Sequence, residues 1–137
     1  MRYLKLYENF DNFSNIKDFC EENLISLTDE GFELQIYSSD SGHHIWLLLD
    51  DDLDNNTFKW VDIKDEFIPF LIKLNTYYNI SEHSTGKFII FTERSIKDYF
   101  KYDDIIEDDM SNGLGGRINL NKLNSIGLLI TSKKENL

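Results

Sequence analysis

Between Trp60 and Tyr78 the apolar residues fall at Trp60, Ile63, Phe67, Phe70/Leu71, Leu74 and Tyr78, the three- and four-residue steps of one helix face. A stripe that long and that aromatic has to be buried, so the fold needs another apolar layer to receive it. Asp62, Asp65 and Glu66 stand near its start, where the helix dipole favours anions. Pro69 lies inside the stripe. It lacks an N–H and crowds the preceding turn, which predicts a kink or a restart near 67–69.

A second helix is predicted over 14–29 from the recurrence of Phe13, Ile16, Cys20, Leu24 and Leu27, with Ser14 as N-cap and Gly31 as the stop. Phe32, Leu34 and Ile36 alternate with polar neighbours, the period of a half-buried strand. After the turn residues Ser39-Asp40-Ser41-Gly42 comes His43 to Leu49, apolar on both faces as an inner strand would be. The two make a hairpin. Lys87 to Thr92 reads as a third strand, and Ile126, Leu128 and Ile130 place a last one ending at Lys133. Ser95 and Asp98 resemble a capping pair ahead of Ile96, Tyr99 and Phe100, which predicts a short third helix.

The element order is then α-β-β-α-β-(α)-β. The expected fold is α+β, a two-layer sandwich: a four-stranded, mainly antiparallel sheet with two main helices packed on one face. The chain has 137 residues, enough for one domain, read here as 11–133 with a leader over 1–10 and a tail over 134–137.

Charge narrows the function. Lys plus Arg is 14 against 25 for Asp plus Glu, a net charge of −11. Nucleic-acid binding draws its affinity from Lys and Arg on phosphates, so direct binding is not expected, nor is an anionic membrane surface. The longest apolar run, Ile45 to Leu49, is far short of the roughly 18 residues of a membrane span. One cysteine, Cys20, supports no disulfide framework, and the charged N-terminus is unlike an export signal.

Several motifs invite a chemical reading. Asp50, Asp52 and Asp54 occupy the odd ligand positions of a calcium loop, but the required glycine and glutamate are replaced by Asn55 and Val61. With Asp51 they remain a candidate contact for a basic protein partner. Asp103, Asp104, Glu107, Asp108 and Asp109 would repel one another at helical spacing, so a linker is expected there. His43 and His44 point to opposite faces of a strand and do not share a metal easily, and nothing brings His83 to them. Ser84-Thr85-Gly86-Lys87 lacks the first glycine and the trailing Ser/Thr of a phosphate loop, and Gly113-Leu114-Gly115-Gly116 lacks a strand-to-helix setting. Cys20 falls on an apolar stripe beside Glu21 and Glu22, where a thiolate is disfavoured. No catalytic set, cofactor or metal site is called for, and a non-enzymatic protein is expected.

The opening Met1-Arg2-Tyr3-Leu4-Lys5-Leu6-Tyr7-Glu8-Asn9-Phe10 resembles a leader of small uncharacterised proteins of tailed bacteriophages, typically Met-Lys-Tyr-Leu-Lys-Leu-Phe-Glu-x-Phe. It departs from that pattern at Arg2 and Tyr7. The string Trp60 to Phe70 is similar to a segment of proteins from the same viruses. Some such leaders are cut after glutamate in Leu-x-Glu, so the resemblance implies processing at Leu6-Tyr7-Glu8. It further implies a phage accessory protein acting by protein–protein contact, in the virion or on a target in the host cytoplasm. Two alternatives stand beside it: an acidic mimic of phosphates that inhibits a host or defence protein, and a small metal-dependent enzyme.

Overall fold

A computed structural model describes residues 12–49, 57–83, 86–107 and 118–134. It is an α+β fold built on an antiparallel sheet. Helices α1 (Asn12–Asn23) and α2 (Ile25–Asp29) precede the hairpin of β1 (Phe32–Ser39) and β2 (Gly42–Leu49). The long helix α3 (Trp60–Tyr77) leads into β3 (Tyr78–Ile80) and β4 (Glu82–His83). A second hairpin, β5 (Gly86–Glu93) and β6 (Ile96–Lys101), is followed by the short α4 (Tyr102–Ile106) and finally β7 (Ser125–Lys133).

The expected four-stranded sheet is corrected to six strands, with the two-residue β4 added against β5. The last strand in sequence lies in the middle. One edge of β7 pairs with β2 through Ile45↔Leu128 and Leu47↔Ile126. Its other edge is shared, by β5 near Ile126 and by β3 near Ile130. The segment between β3 and β4 bridges this fork, as Ser81 donates its N–H to Leu129 O and accepts from Phe88 N.

The expected third helix is strand β6. Ile96, Tyr99 and Phe100 have helical spacing, but Arg94 takes a left-handed φ of 55° in a two-residue loop that folds 96–101 back on β5. Ladder pairing of Ile89 with Phe100 and Phe91 with Asp98 then outweighs the local cap signal. The linker expected at 103–109 is helical over its first four residues: 102–106 form α4, held by the fully buried Ile105, while 108–109 lie outside the described residues. Asp103 and Asp104 stand in its first turn, where carboxylates suit the helix dipole, and Glu107 caps its end.

The predicted helix over 14–29 is two helices. Leu24 leaves helical geometry at φ −116° and ψ 18°, while the Asn23 side-chain amide takes the Phe19 carbonyl at 2.8 Å and closes α1. Helix α3 runs unbroken through Pro69, with neither restart nor interruption. Pro69 and Asp65, the residue whose carbonyl loses its donor, are both exposed, so water can satisfy that oxygen.

One core holds the layers together. Helix α3 buries Trp60, Ile63, Phe67, Phe70, Leu71 and Leu74, each worth roughly 1.5–3 kcal/mol on leaving water. The Trp60 ring meets Phe67 at 5.9 Å and Phe91 at 5.2 Å, which seats the helix on β5. Phe19 of α1 packs on Tyr78 at 5.7 Å, and Phe32 of β1 on Phe58 at 5.1 Å.

Candidate functional site

Side chains alternate across a strand, so the register sorts them into two faces. Leu34, Leu47, Ile126 and Phe91 line up across four strands on the side that receives α3. The opposite side carries Gln35, Trp46, Gly127, Ile90 and Tyr99 in one row across β1, β2, β7, β5 and β6. Parallel rows place Tyr37, His44 and Leu129 on one flank and Glu33, Leu48, Ser125, Thr92 and Lys97 on the other. No described helix lies over this second face. Trp46, Leu48, Phe88, Ile90 and Leu129 are only half-buried there, and Tyr37 and Tyr99 are 49% and 54% exposed.

The face is ordered by its own contacts. Tyr37 stacks on His44 at 4.6 Å with an interplanar angle of 13°, and Phe88 meets Tyr99 edge-on at 6.1 Å. Ser39 Oγ lies 2.8 Å from His44 Nε2, fixing the ring against rotation. Trp46 lies down over Gly127, and the Lys97 Nζ stands 5.9 Å from the indole centroid. The result is an aromatic and aliphatic platform with a cationic tip over its centre. Such residues serve contact with another macromolecule well: they bring large apolar area at little cost in side-chain entropy.

The acidic candidates Asp50, Asp51, Asp52 and Asp54 lie outside the described residues, as do Leu6 and Glu8. His43 and His44 do occupy opposite faces of β2; burial, then the neighbouring His44, lowers the His43 pKa. Ser38 Oγ stands 2.8 Å from His43 Nδ1. Among the described residues no group of three or more His, Cys, Asp or Glu gathers as a metal site would need. Cys20 is fully buried, and desolvation with the adjacent Glu21 pushes its thiol up to about 12. A nucleophilic thiolate does not form in that setting.

Lys87 is part of strand β5, and its ammonium donates to Asn75 Oδ1 while lying 5.6 Å from the Tyr102 ring. Lys134 donates to the Asn75 carbonyl. Two cations thus meet the last turn of α3, where the dipole is negative, and their role is structural. Many of the described carboxylates lie on the other layer: Asp18, Glu21 and Glu22 on α1, Asp29 on α2, and Asp62 and Asp65 on α3 are all exposed. Among the described residues the two sides therefore differ in chemistry, rich in carboxylates over the helices and mainly aromatic and aliphatic over the second sheet face, with Glu33 at its β1 margin.

Sequence reasoning placed Trp46 and Leu48 on an inner strand but did not single out Tyr37, Phe88, Ile90 or Tyr99. The available signal was that 86–93 as well as 43–49 is apolar on both faces, more sheet surface than two main helices can cover. No described helix is long and apolar enough to cross a membrane. No family model, curated protein or solved structure matches the chain.

Proposed function

We propose that this chain is a non-enzymatic accessory protein of a tailed bacteriophage that works by protein–protein contact, using the bare face of its sheet as the contact surface. The observation that carries the reading is the row Trp46–Gly127–Ile90–Tyr99 with Tyr37 and Leu129 beside it, a half-exposed apolar surface flanked by Lys97. Contiguous apolar surface of this kind on a small chain marks an interaction site. The phage assignment is supported by the leader Met1 to Phe10 and by the Trp60–Phe70 string.

A photo-reactive phenylalanine analogue placed at Tyr99 tests the surface, with one at the exposed Val61 of α3 as the control. In infected cells the Tyr99 probe is expected to yield one discrete adduct that the Val61 probe does not. Equal labelling from both sites, or none from Tyr99 and Tyr37, overturns the reading. Mass spectrometry of purified virions separates a packaged protein from one acting on a host target.

A second reading, an acidic mimic of phosphates, is supported by the exposed carboxylates of α1, α2 and α3. It predicts binding that weakens steeply with salt and when Asp50, Asp51, Asp52 and Asp54 become Asn.

A further inference from the structure

Strand β1 is an outer strand: it pairs with β2 along its whole length, and no described strand pairs its other edge. In an antiparallel ladder every second residue turns its N–H and C=O away from its partner, so β1 presents a row of these groups outward. That edge is not flat. The four consecutive residues Leu34, Gln35, Ile36 and Tyr37 line a groove of about 420 Å³, and consecutive lining means that the strand's edge, not one face, forms the wall. Helix α1 supplies the opposite wall through Lys17 and Glu21. Glu21 and Leu34 also belong to a second depression of about 510 Å³, which carries the groove on past Glu33 to Ile25 and Asp29 of α2.

This is the geometry for adding one more strand: a ladder edge that no described strand pairs, a helix wall across from it, and the apolar lining residues Leu34, Ile36 and Ile25 for alternate side chains. The charge around it is one-sided. Glu21, Asp29 and Glu33 face a single Lys17, which is already paired with Glu21 at 3.9 Å. We propose that the groove between β1 and α1–α2 binds an extended, basic segment of a partner protein by strand addition. The groove meets the other sheet face at its margin, where Gln35 and Tyr37 belong to both, but it is defined by the outward edge of β1 and by α1–α2 and does not use Trp46, Ile90 or Tyr99. A second copy of this chain, at −11, would bring like charge to the same acidic rim, which disfavours edge-to-edge self-pairing.

The test uses the full chain and a synthetic octapeptide of alternating Lys and Val, with its alternating Glu and Val counterpart and a version N-methylated at every second residue. Amide NMR is expected to show saturable shifts along β1 with the Lys peptide, and none with the Glu or N-methylated peptides. The double variant Asp29→Lys/Glu33→Lys is expected to bind about tenfold more weakly. Absence of saturable binding, or equal binding of the Glu peptide, overturns the proposal. So does protection, in the free chain, of those β1 amides that point away from β2, which would mean that another segment of the chain or a second copy fills the groove. Shifts confined to Trp46, Ile90 and Tyr99 would place the peptide on the bare face, defeating this inference and leaving the preceding one intact.

Discussion

The indole of Trp46 occupies the space that a side chain at residue 127 would need: a Cβ built on Gly127 comes 2.6 Å from Trp46 Cδ2. The two residues are register partners across β2 and β7, so the absence of a side chain on one strand is what lets the other's ring lie flat. Gly127→Ala is expected to lift the ring off the sheet at a cost of about 1–3 kcal/mol. Urea unfolding would measure the cost. Red-shifted Trp46 emission, read in a Trp60→Phe background to remove the buried indole, would report the movement.

Gly42 presents a harder case. Its φ is +139°, and a Cβ there would overlap the Ile130 carbonyl oxygen, a backbone atom that cannot swing away. Gly42→Ala combines conformational strain with displacement of β7, and a loss of about 3 kcal/mol or more is expected. Thermal unfolding should show Gly42→Ala well below Gly31→Ala, since nothing lies within 4 Å of a Cβ at Gly31.

Cys20 makes the fold sensitive to alkali. Its thiol is raised from 9.0 to about 12 by burial and by Glu21, and burial together with Cys20 raises the Tyr78 phenol as well. Above pH 9 the unfolded chain has lost a proton that the folded chain keeps, so stability present below pH 9 declines as pH climbs towards 12. Thiol titration is expected to find Cys20 unreactive in the folded protein at pH 8 and fully reactive in denaturant. Cys20→Ser would flatten part of the alkaline decline.

Pro69 interrupts the backbone bonding of α3 on its wet side. Replacing it with Ala restores one N–H donor and relieves the clash with the preceding turn. Because Pro also restricts the unfolded chain, the net gain expected from Pro69→Ala is about 1–2 kcal/mol. Denaturant midpoints of the two proteins would check the sign.

Legibility followed how local each signal was. The α3 stripe and the β1–β2 hairpin depend on spacing within a few residues, and both stand in the structure, with β1 and β2 joined across Asp40-Ser41. Strand β6 was hidden because Ile96, Tyr99 and Phe100 satisfy a helical spacing while Ile96, Asp98 and Phe100 satisfy a strand's; only the partner strand decides. Tyr78 fits the end of the helical stripe equally well, which concealed β3. The bare face was illegible for a different reason. Apolar residues on both sides of a strand say that two surfaces seek cover, not which of them the same chain covers.

The position of β7 governs when the molecule can come together. Everything it joins, the β1–β2 hairpin on one side and β3 with β5–β6 on the other, precedes it in the chain. On a ribosome these halves emerge without a common partner, each holding out unmatched ladder edges. The sheet closes only once Ser125–Lys133 has cleared the exit tunnel, and a nascent chain stalled before that strand would be a ready substrate for chaperones or proteases.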